Sequence, residues 1–203
     1  YPLFVFTSSS IFQLNLVEDF KQNRLFTVGP VTDLMLSYQP ILFNQKFFAL
    51  FYDEGRDETR LKIIPLLTGV AQDRDAFKGR VSSPINVNEH LLFFYTSHEL
   101  IFYDLNREDI LWRQSNTQGL DIDISPQRSN RHIYAAGRGK LFRIPSTPHA
   151  NALPILPMNM PQMNRMKFSV RENYLYIAHD HGILIMNEPG QIVTQSAGNV
   201  DSD

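Results

Sequence analysis

The stretch NRHIYAAGRGKLFRI, residues 130–144, decides the fold. Two short apolar runs flank a Gly-Arg-Gly segment, and glycine tolerates the positive φ that a tight turn between two strands requires. The stretch therefore predicts a β-hairpin with its turn at 137–139. An isolated hairpin and a repeated one belong to different architectures, so the next question is whether the pattern recurs.

The same layout of apolar run, small polar turn and apolar run recurs along the chain. The predicted hairpins lie near 3–16, 47–66, 91–105, 132–144 and 174–186, at a period of roughly 41 to 44 residues. A further apolar strand precedes most of them, as in LDIDIS at 120–125, and another run follows most of them. Four short strands per repeat predict a repeated four-stranded antiparallel sheet.

One other fold and two segments leave alternatives open. A β-sandwich also contains many short strands, and the segment 15–26 has helical periodicity through Leu16, Phe20 and Leu25. The polar segment 68–80 occupies the place of a fourth strand and is predicted to be mostly loop. We nevertheless expect an all-β chain with little helix, because the repeats account for nearly every residue.

The repeats resemble those of WD40-like, TolB-like and PQQ-like β-propellers. Residues 36–69 are similar to the TolB-type pattern of strand, turn, apolar strand, acidic turn, strand and a closing PL-TG. Residues 100–113, LIFYDLNREDILWR, are similar to the PQQ-type pattern. The resemblance implies one propeller domain over 1–203 with about five four-stranded blades, or part of a six- or seven-bladed propeller. Because the first copy begins at its hairpin, residues 196–203 are predicted to supply its inner strand.

Composition excludes several classes of function. The chain has 203 residues, a net charge of −2 and no cysteine, which excludes disulfide scaffolds, zinc ribbons and cysteine nucleophiles. The near-balanced charge offers no electrostatic basis for binding nucleic acid or an anionic membrane. No nucleophile elbow, Walker loop, Rossmann fingerprint or zinc-protease motif is present. We therefore expect no nucleic-acid partner, no membrane contact by this segment, no cofactor and no metal.

Carboxylates on predicted inner strands are the catalytic candidates. Asp121 and Asp123 alternate with apolar residues in LDIDIS, so a strand would place both on one face. Asp33 occupies the position in the second repeat that matches Asp121. Five-bladed glycosidases use channel carboxylates as acid, as base or nucleophile and to orient substrate. The resemblance therefore makes a glycoside hydrolase using these three residues the alternative function.

Loop residues are the binding candidates. In related propellers, the loops from second to third strands and from fourth to next first strands gather on one face. That face would carry 7–10, 53–59, 96–99, 137–139 and 179–181, together with 67–80 and 146–163. The residues expected to contact a ligand or partner are His98, Arg138, His179, Asp180 and His181. The two histidines in AHDHG lie on a predicted hairpin tip, which favours a solvated turn over a metal pair.

The sequence thus predicts a non-enzymatic β-propeller that binds or senses a protein or small ligand at its loop face. TolB-like propellers often act outside the cytoplasm, as scaffolds or as sensors in membrane-anchored signal-transduction proteins. The resemblance therefore implies a periplasmic or secreted location, with the cytoplasm as the alternative. Assembly into a homo-oligomer is a further expectation.

Overall fold

Strands dominate the computed structural model, which describes residues 3–7, 10–14, 22–27, 34–148, 154–160, 166–171, 174–180, 182–188 and 190–197. Within these ranges there is no helix, and twenty strands form five antiparallel sheets. The prediction of an all-β fold built from small antiparallel sheets is confirmed. Part of the segment proposed as a helix lies in a strand, and its residues 15–21 lie outside the described residues.

Every sheet is built from strands that are consecutive in the chain. The first sheet contains β1 (Leu3–Phe6), β2 (Ser10–Leu14) and β3 (Gln22–Thr27). The second contains β4 (Leu34–Leu36), β5 (Ile41–Phe43), β6 (Lys46–Asp53), β7 (Glu58–Pro65) and β8 (Gln72–Lys78). The third contains β9 (Ile85–Asn86), β10 (Leu91–Tyr95), β11 (Glu99–Asp104) and β12 (Asp109–Ser115).

The last two sheets follow the same order. The fourth contains β13 (Gln127–Arg128), β14 (His132–Gly137), β15 (Lys140–Pro145) and β16 (Leu156–Pro157). The fifth contains β17 (Met166–Arg171), β18 (Tyr174–His179), β19 (Gly182–Asn187) and β20 (Ile192–Ala197). In the second sheet, β4 and β5 both pair with β6, so they are two parts of one interrupted inner strand.

The chain divides into two compact units, residues 1–81 with 104–109 and residues 82–103 with 110–203. In the first unit, β6 lies in the core, because all five residues from Phe47 to Phe51 are buried. The Phe47 ring packs edge-on against Phe4 and Phe6, at centroid distances of 5.0 and 5.3 Å. Such edge-to-face pairs add to the burial of apolar area. The single domain over 1–203 stays a prediction.

In the second unit, β14 has core on both of its faces. Strand alternation places Ile133 and Ala135 in the cluster formed with the third sheet, and Tyr134 and Ala136 in the cluster formed with the fifth. The fifth sheet is buried on one face only: Leu175 is buried, whereas its neighbours Tyr174 and Tyr176 are exposed. Burial therefore alternates along β18, with Leu175 and Ile177 on the buried face.

Three predictions about strands are wrong. Residues 120–125 form a turn rather than an inner strand, and the strand of the fourth sheet begins only at Gln127. Residues 72–78 form β8 rather than a loop. Ser196 and Ala197 belong to β20, paired with β19, so they do not complete the first sheet. Residues 198–203 lie outside the described residues.

Candidate functional site

The Gly-Arg-Gly turn of the fourth sheet is shaped by two different constraints. Arg138 and Gly139 have φ values of 50° and 72°, as expected of a two-residue hairpin turn. Gly137 instead faces another loop: a Cβ at this position would lie 2.4 Å from the carbonyl oxygen of Gly119. Gly119 has a φ of 64°, and a Cβ there would lie 2.6 Å from Arg138 Nε. The two backbones are therefore in direct contact.

The buried Asn116 side chain fixes the loop that follows β12. Its Nδ2 donates to the Thr96 carbonyl oxygen at 2.8 Å and to that of Leu120 at 3.4 Å. Its Oδ1 accepts from the Leu120 amide at 3.0 Å, and its own amide donates to the His98 carbonyl oxygen at 2.7 Å. One amide side chain thus ties the loop to the turn between β10 and β11.

Tyr95, at the end of β10, holds the next part of this loop. Its hydroxyl lies 3.0 Å from the carbonyl oxygen of Asp121 and 2.8 Å from that of Ile124. The Asp121 amide donates to the Ala136 carbonyl oxygen at 2.8 Å, which joins the loop to β14. Residues 96–98, 116–124 and 137–139 therefore form one connected surface, called the loop surface below.

This geometry places two of the acidic catalytic candidates in a turn rather than on a strand. Asp121 and Asp123 are both exposed, and Asp121 Oδ1 accepts from the Asp123 amide at 3.0 Å in a local turn. They do not share a strand face, because the loop's carbonyl oxygens bind Tyr95 rather than a neighbouring strand. The third candidate, Asp33, lies outside the described residues. The strand geometry assumed for the carboxylates of a hydrolase is thus wrong for Asp121 and Asp123.

The predicted binding residues fall in two places. His98 and Arg138 are exposed and belong to the loop surface, together with Asp121 and Asp123. His179 ends β18 half-buried and Asp180 is exposed in the turn that follows, whereas His181 lies outside the described residues. The turn positions of Arg138 and His98 were predicted from the sequence, and their role in binding stays a prediction. Sequence analysis missed the roles of Asn116 and Tyr95, which depend on contacts between separate strands.

Two segments predicted for the loop face, 67–80 and 146–163, begin at the other end of their own sheets. The Leu66 amide donates to the Gln45 carbonyl oxygen at 2.9 Å, so residues 67–71 follow β7 at the end opposite the 54–57 turn. Ser146 donates to the Arg131 carbonyl oxygen through its hydroxyl at 2.8 Å, opposite the turn at 138–139. The loop from the third to the fourth strand leaves a sheet at the end opposite the turn between the second and third strands, so the prediction is wrong for 67–71 and for the residues directly after β15. Later residues of both segments do lie at the turn end, because the Gly79 amide donates to the Asp57 carbonyl oxygen at 2.7 Å and the Met158 amide donates to that of Leu141 at 2.8 Å.

The first unit contains a cleft of about 350 Å³ that sequence analysis did not find. It lies where the interrupted inner strand, the β6–β7 turn and the segment after β8 meet, and it is called the tyrosine cleft. Tyr38 Oη donates to the Val81 carbonyl oxygen at 3.0 Å, and Tyr52 Oη donates to Asp57 Oδ1 at 2.8 Å. The lining residues are Leu36, Ser37, Tyr38, Tyr52, Glu54, Arg80 and Val81.

A second missed group joins the fourth and fifth sheets. Ser129 Oγ donates to Glu188 Oε1 at 2.6 Å, and His132 Nδ1 lies 3.3 Å from the same oxygen. The hydrogen bond from Ser129 lowers the pKa of Glu188 most, burial opposes it, and His132 adds to the lowering. Serine and histidine both contact the carboxylate rather than each other's side chains, so the group has the geometry of a structural tie rather than a serine nucleophile with its base.

Groups that could hold a metal are absent from the part of the chain that the structure describes: no three His, Asp or Glu side chains converge there. The same residues include no helix long and apolar enough to cross a membrane.

Comparison with solved structures places these sheets in a known architecture. Hsv2 of Kluyveromyces lactis superposes with a TM-score of 0.58 at 11% identity, over 97% of this chain and 60% of that chain. An oligogalacturonate lyase in complex with manganese gives 0.58 at 11% identity, over 97% and 61%. The Cps50 (Swd1) β-propeller domain of Myceliophteria thermophila gives 0.54 at 15% identity, over 97% and 70%. The chain has a β-propeller fold.

The resemblance of the repeats to WD40-like propellers is thereby confirmed at the level of fold. No protein-family model and no curated protein matches the chain. The chain spans about 60% of the length of the Hsv2 and lyase structures that it matches. A propeller carries many unrelated functions, so the function has to be argued from the site.

Proposed function

We propose that this propeller is a non-enzymatic binding module that recognises a protein partner through the loop surface. The observation that carries the proposal is a fixed backbone beneath exposed charged side chains. Asn116 and Tyr95 are buried and satisfy the loop's backbone groups, while Arg138, Asp121 and His98 are exposed. A surface that is ordered before binding loses less conformational entropy on association.

Side-chain chemistry supports binding over catalysis. Arginine is enriched where a few residues dominate interface energy, and exposed carboxylates beside it provide charge complementarity and orientation. Catalysis by carboxylates instead needs two of them held across a substrate at a defined separation. Asp121 and Asp123 are joined in one local turn, which favours a recognition role.

The test compares matched variants in affinity capture from cells of the source organism. Arg138→Ala and Asp121→Asn alter the loop surface, whereas Arg113→Ala and Glu89→Gln remove exposed charges elsewhere in the same unit. We expect the first pair to lose a specific partner and the second pair to retain it. With that partner purified, each loop variant should bind about tenfold more weakly.

Two outcomes would overturn this proposal. One is equal capture of the same proteins by all four variants. The other is hydrolysis of aryl-glycosides by the parent protein, lost in Asp121→Asn with Asp123→Asn, which would establish the hydrolytic alternative.

The proposal includes an extracytoplasmic sensing or scaffolding role within a larger membrane-anchored protein. A cysteine-free chain is compatible with an oxidising compartment. The full-length reading frame and a compartment-specific reporter fusion test this part separately. A reporter that is active only in the cytoplasm would contradict the location while leaving partner binding intact.

A further inference from the structure

The tyrosine cleft of the first unit is a second concave site, formed by residues that the loop surface does not use. Its volume of about 350 Å³ falls at the small end of the range of roughly 300–1,000 Å³ for ligand pockets. A space of this size suits one long side chain with its flanking backbone better than a nucleotide or a large cofactor. The cleft is therefore considered as a receptor for a side chain.

Both tyrosine hydroxyls at the cleft are already engaged within the protein. Tyr38 donates to the Val81 carbonyl oxygen, and Tyr52 donates to Asp57. These bonds fix each ring at its hydroxyl end, and both side chains line the cleft. Leu36 adds aliphatic surface. Such walls pack well against the methylene stem of a long side chain.

The charges around Tyr52 favour a positive ligand. The pKa of Tyr52 is raised, first by its hydrogen bond to Asp57, then by burial and by the negative charges of Asp57 and Glu54. Arg80 acts in the opposite direction. Asp57 lies 2.8 Å from the Tyr52 hydroxyl and Glu54 lines the cleft, so two carboxylates stand beside this ring against Arg80 among the described residues.

Glu54 is the acid best placed to contact a ligand, because it both lines the cleft and is exposed. The neighbouring acids are engaged in the turn: Asp53 lies 3.6 Å from Arg56, and Asp57 accepts from Tyr52. A carboxylate beside aromatic rings is a suitable environment for an ammonium or guanidinium group.

We propose that the tyrosine cleft binds a lysine or arginine side chain of a protein or peptide partner, with its charge at Glu54 and its stem against Tyr38 and Tyr52. Arg80 limits the affinity by like-charge repulsion and discriminates against ligands that place their charge at its side of the cleft. This site is independent of the loop surface, which belongs to the other unit.

The experiment uses N-acetyl-lysine methylamide and N-acetyl-arginine methylamide as probes, with N-acetyl-glutamate methylamide as the anionic counterpart. Each is titrated into the protein while amide NMR signals are followed. We expect both cationic probes to shift the signals of residues 36–38, 52–54 and 80–81 with millimolar affinity, and added salt to weaken them. The anionic probe should leave these signals in place.

Two variants, one that removes a negative charge and one that removes a positive charge, make the proposal falsifiable. Glu54→Gln should weaken binding of the cationic probes by about threefold to fivefold, whereas Arg80→Gln should strengthen it by about twofold, as expected for exposed charges. Both side chains are exposed, and the melting temperatures of the variants check that each one still folds. Glu89→Gln, in the other unit, is the control for loss of one negative charge.

Three results would overturn the proposal. The first is an anionic probe that shifts the cleft signals and loses its effect in Arg80→Gln. The second is an equal loss of affinity in Glu54→Gln and Glu89→Gln, which would indicate nonspecific attraction. The third is the absence of any shift at the cleft with either cationic probe at millimolar concentration.

Discussion

At the scale of single residues, Gly137 shows that a glycine in a hairpin turn can be required by its neighbours rather than by its own φ. The two residues with positive φ in this turn are Arg138 and Gly139. Gly137 lacks a side chain because Gly119 and Leu120 pass where a Cβ would be, the Leu120 Cα at 2.8 Å. Backbone atoms on both sides leave the structure little freedom to relax.

We therefore expect Gly137→Ala to destabilise the protein by about 1–3 kcal/mol, the usual cost of overpacking. The measurement is chemical unfolding of the parent and the variant. Gly55→Ala is the matched control, since a Cβ at Gly55 would lie 3.5 Å from the Asp53 carboxylate, an ordinary contact. A Gly137→Ala variant as stable as Gly55→Ala would show that the two loops are not in direct contact.

Sequence alone predicted the turn at 137–139 but assigned Gly137 the wrong role. The local pattern of apolar run, glycine and apolar run specifies a turn, because backbone geometry there depends only on neighbours in the chain. The contact with Gly119 joins residues far apart in sequence, and nothing in the local pattern reports it. The same reason explains why the contacts of Asn116 and Tyr95 were missed, although the place of Arg138 in the turn was predicted.

At the scale of secondary-structure elements, the tie from Ser129 and His132 to Glu188 connects the turn before β14 with the turn after β19. Ser129 also accepts from the His132 amide at 3.1 Å, so one hydroxyl both caps its own turn and holds the carboxylate. The pKa of Glu188 is lowered in the folded state. A carboxyl group whose pKa is lower in the folded state than in the unfolded state stabilises the fold at pH values above the unfolded-state pKa. This contribution is lost as the pH falls through the folded-state pKa.

Glu188→Gln should therefore be less stable than the parent near neutral pH, by about 1–2 kcal/mol for the loss of a charge-assisted hydrogen bond. The difference should shrink as pH falls below about 4.3, the ordinary value for glutamate. The measurement is urea unfolding of the parent and the variant from neutral pH to below this value. Glu89→Gln, on an exposed loop, is the control for net charge. A difference that stays constant with pH would contradict the tie.

Two elements show where local pattern and tertiary structure disagree. LDIDIS alternates like a strand, yet Tyr95 and Asn116 bind the backbone of its neighbourhood and hold it as a turn. Residues 72–78 are too polar for a typical strand, yet they form the outer strand of their sheet. An outer strand needs no apolar outward face, and Asp73 there contacts Lys62 of β7 at 2.7 Å.

At the scale of the whole molecule, the repeated hairpins made the fold class predictable, because each repeat carries its own turn signals and buried runs. The interactions between sheets were not predictable, since they depend on which faces meet. The clearest difference lies in the second unit. Both faces of β14 are buried, whereas β19 buries Leu184 to 1% exposure and leaves its neighbour Ile183 48% exposed.

Lysine substitutions test this arrangement, because the loss of stability at one residue can be compared with the loss at its neighbour on the same strand. We expect Leu184→Lys to abolish stable folding or cost more than about 4 kcal/mol, because it buries a charge. Ile183→Lys should cost less than about 1 kcal/mol, because its side chain already meets solvent. On β14, Ala135→Lys and Ala136→Lys should both be severe, since each residue is fully buried.

Thermal unfolding of the four variants provides the measurement. The pair on β14, where both residues are buried, is the control for the pair on β19, where only one is buried. The arrangement would be wrong if Ile183→Lys were as damaging as Leu184→Lys, or if either alanine position on β14 accepted lysine. The first result would mean that both faces of the fifth sheet are covered.

The consecutive pairing of strands has a consequence for how the chain acquires its structure. Every hairpin closes a short segment, so the entropy cost of forming each sheet is low and does not depend on distant parts of the chain. A sheet can therefore form as soon as its own strands have left the ribosome, before the next sheet has been synthesised. One strand exposed during this interval is β6, whose residues Phe47 to Phe51 are all apolar. Rapid pairing of β6 with β7 across the 54–57 turn would shelter it during translation.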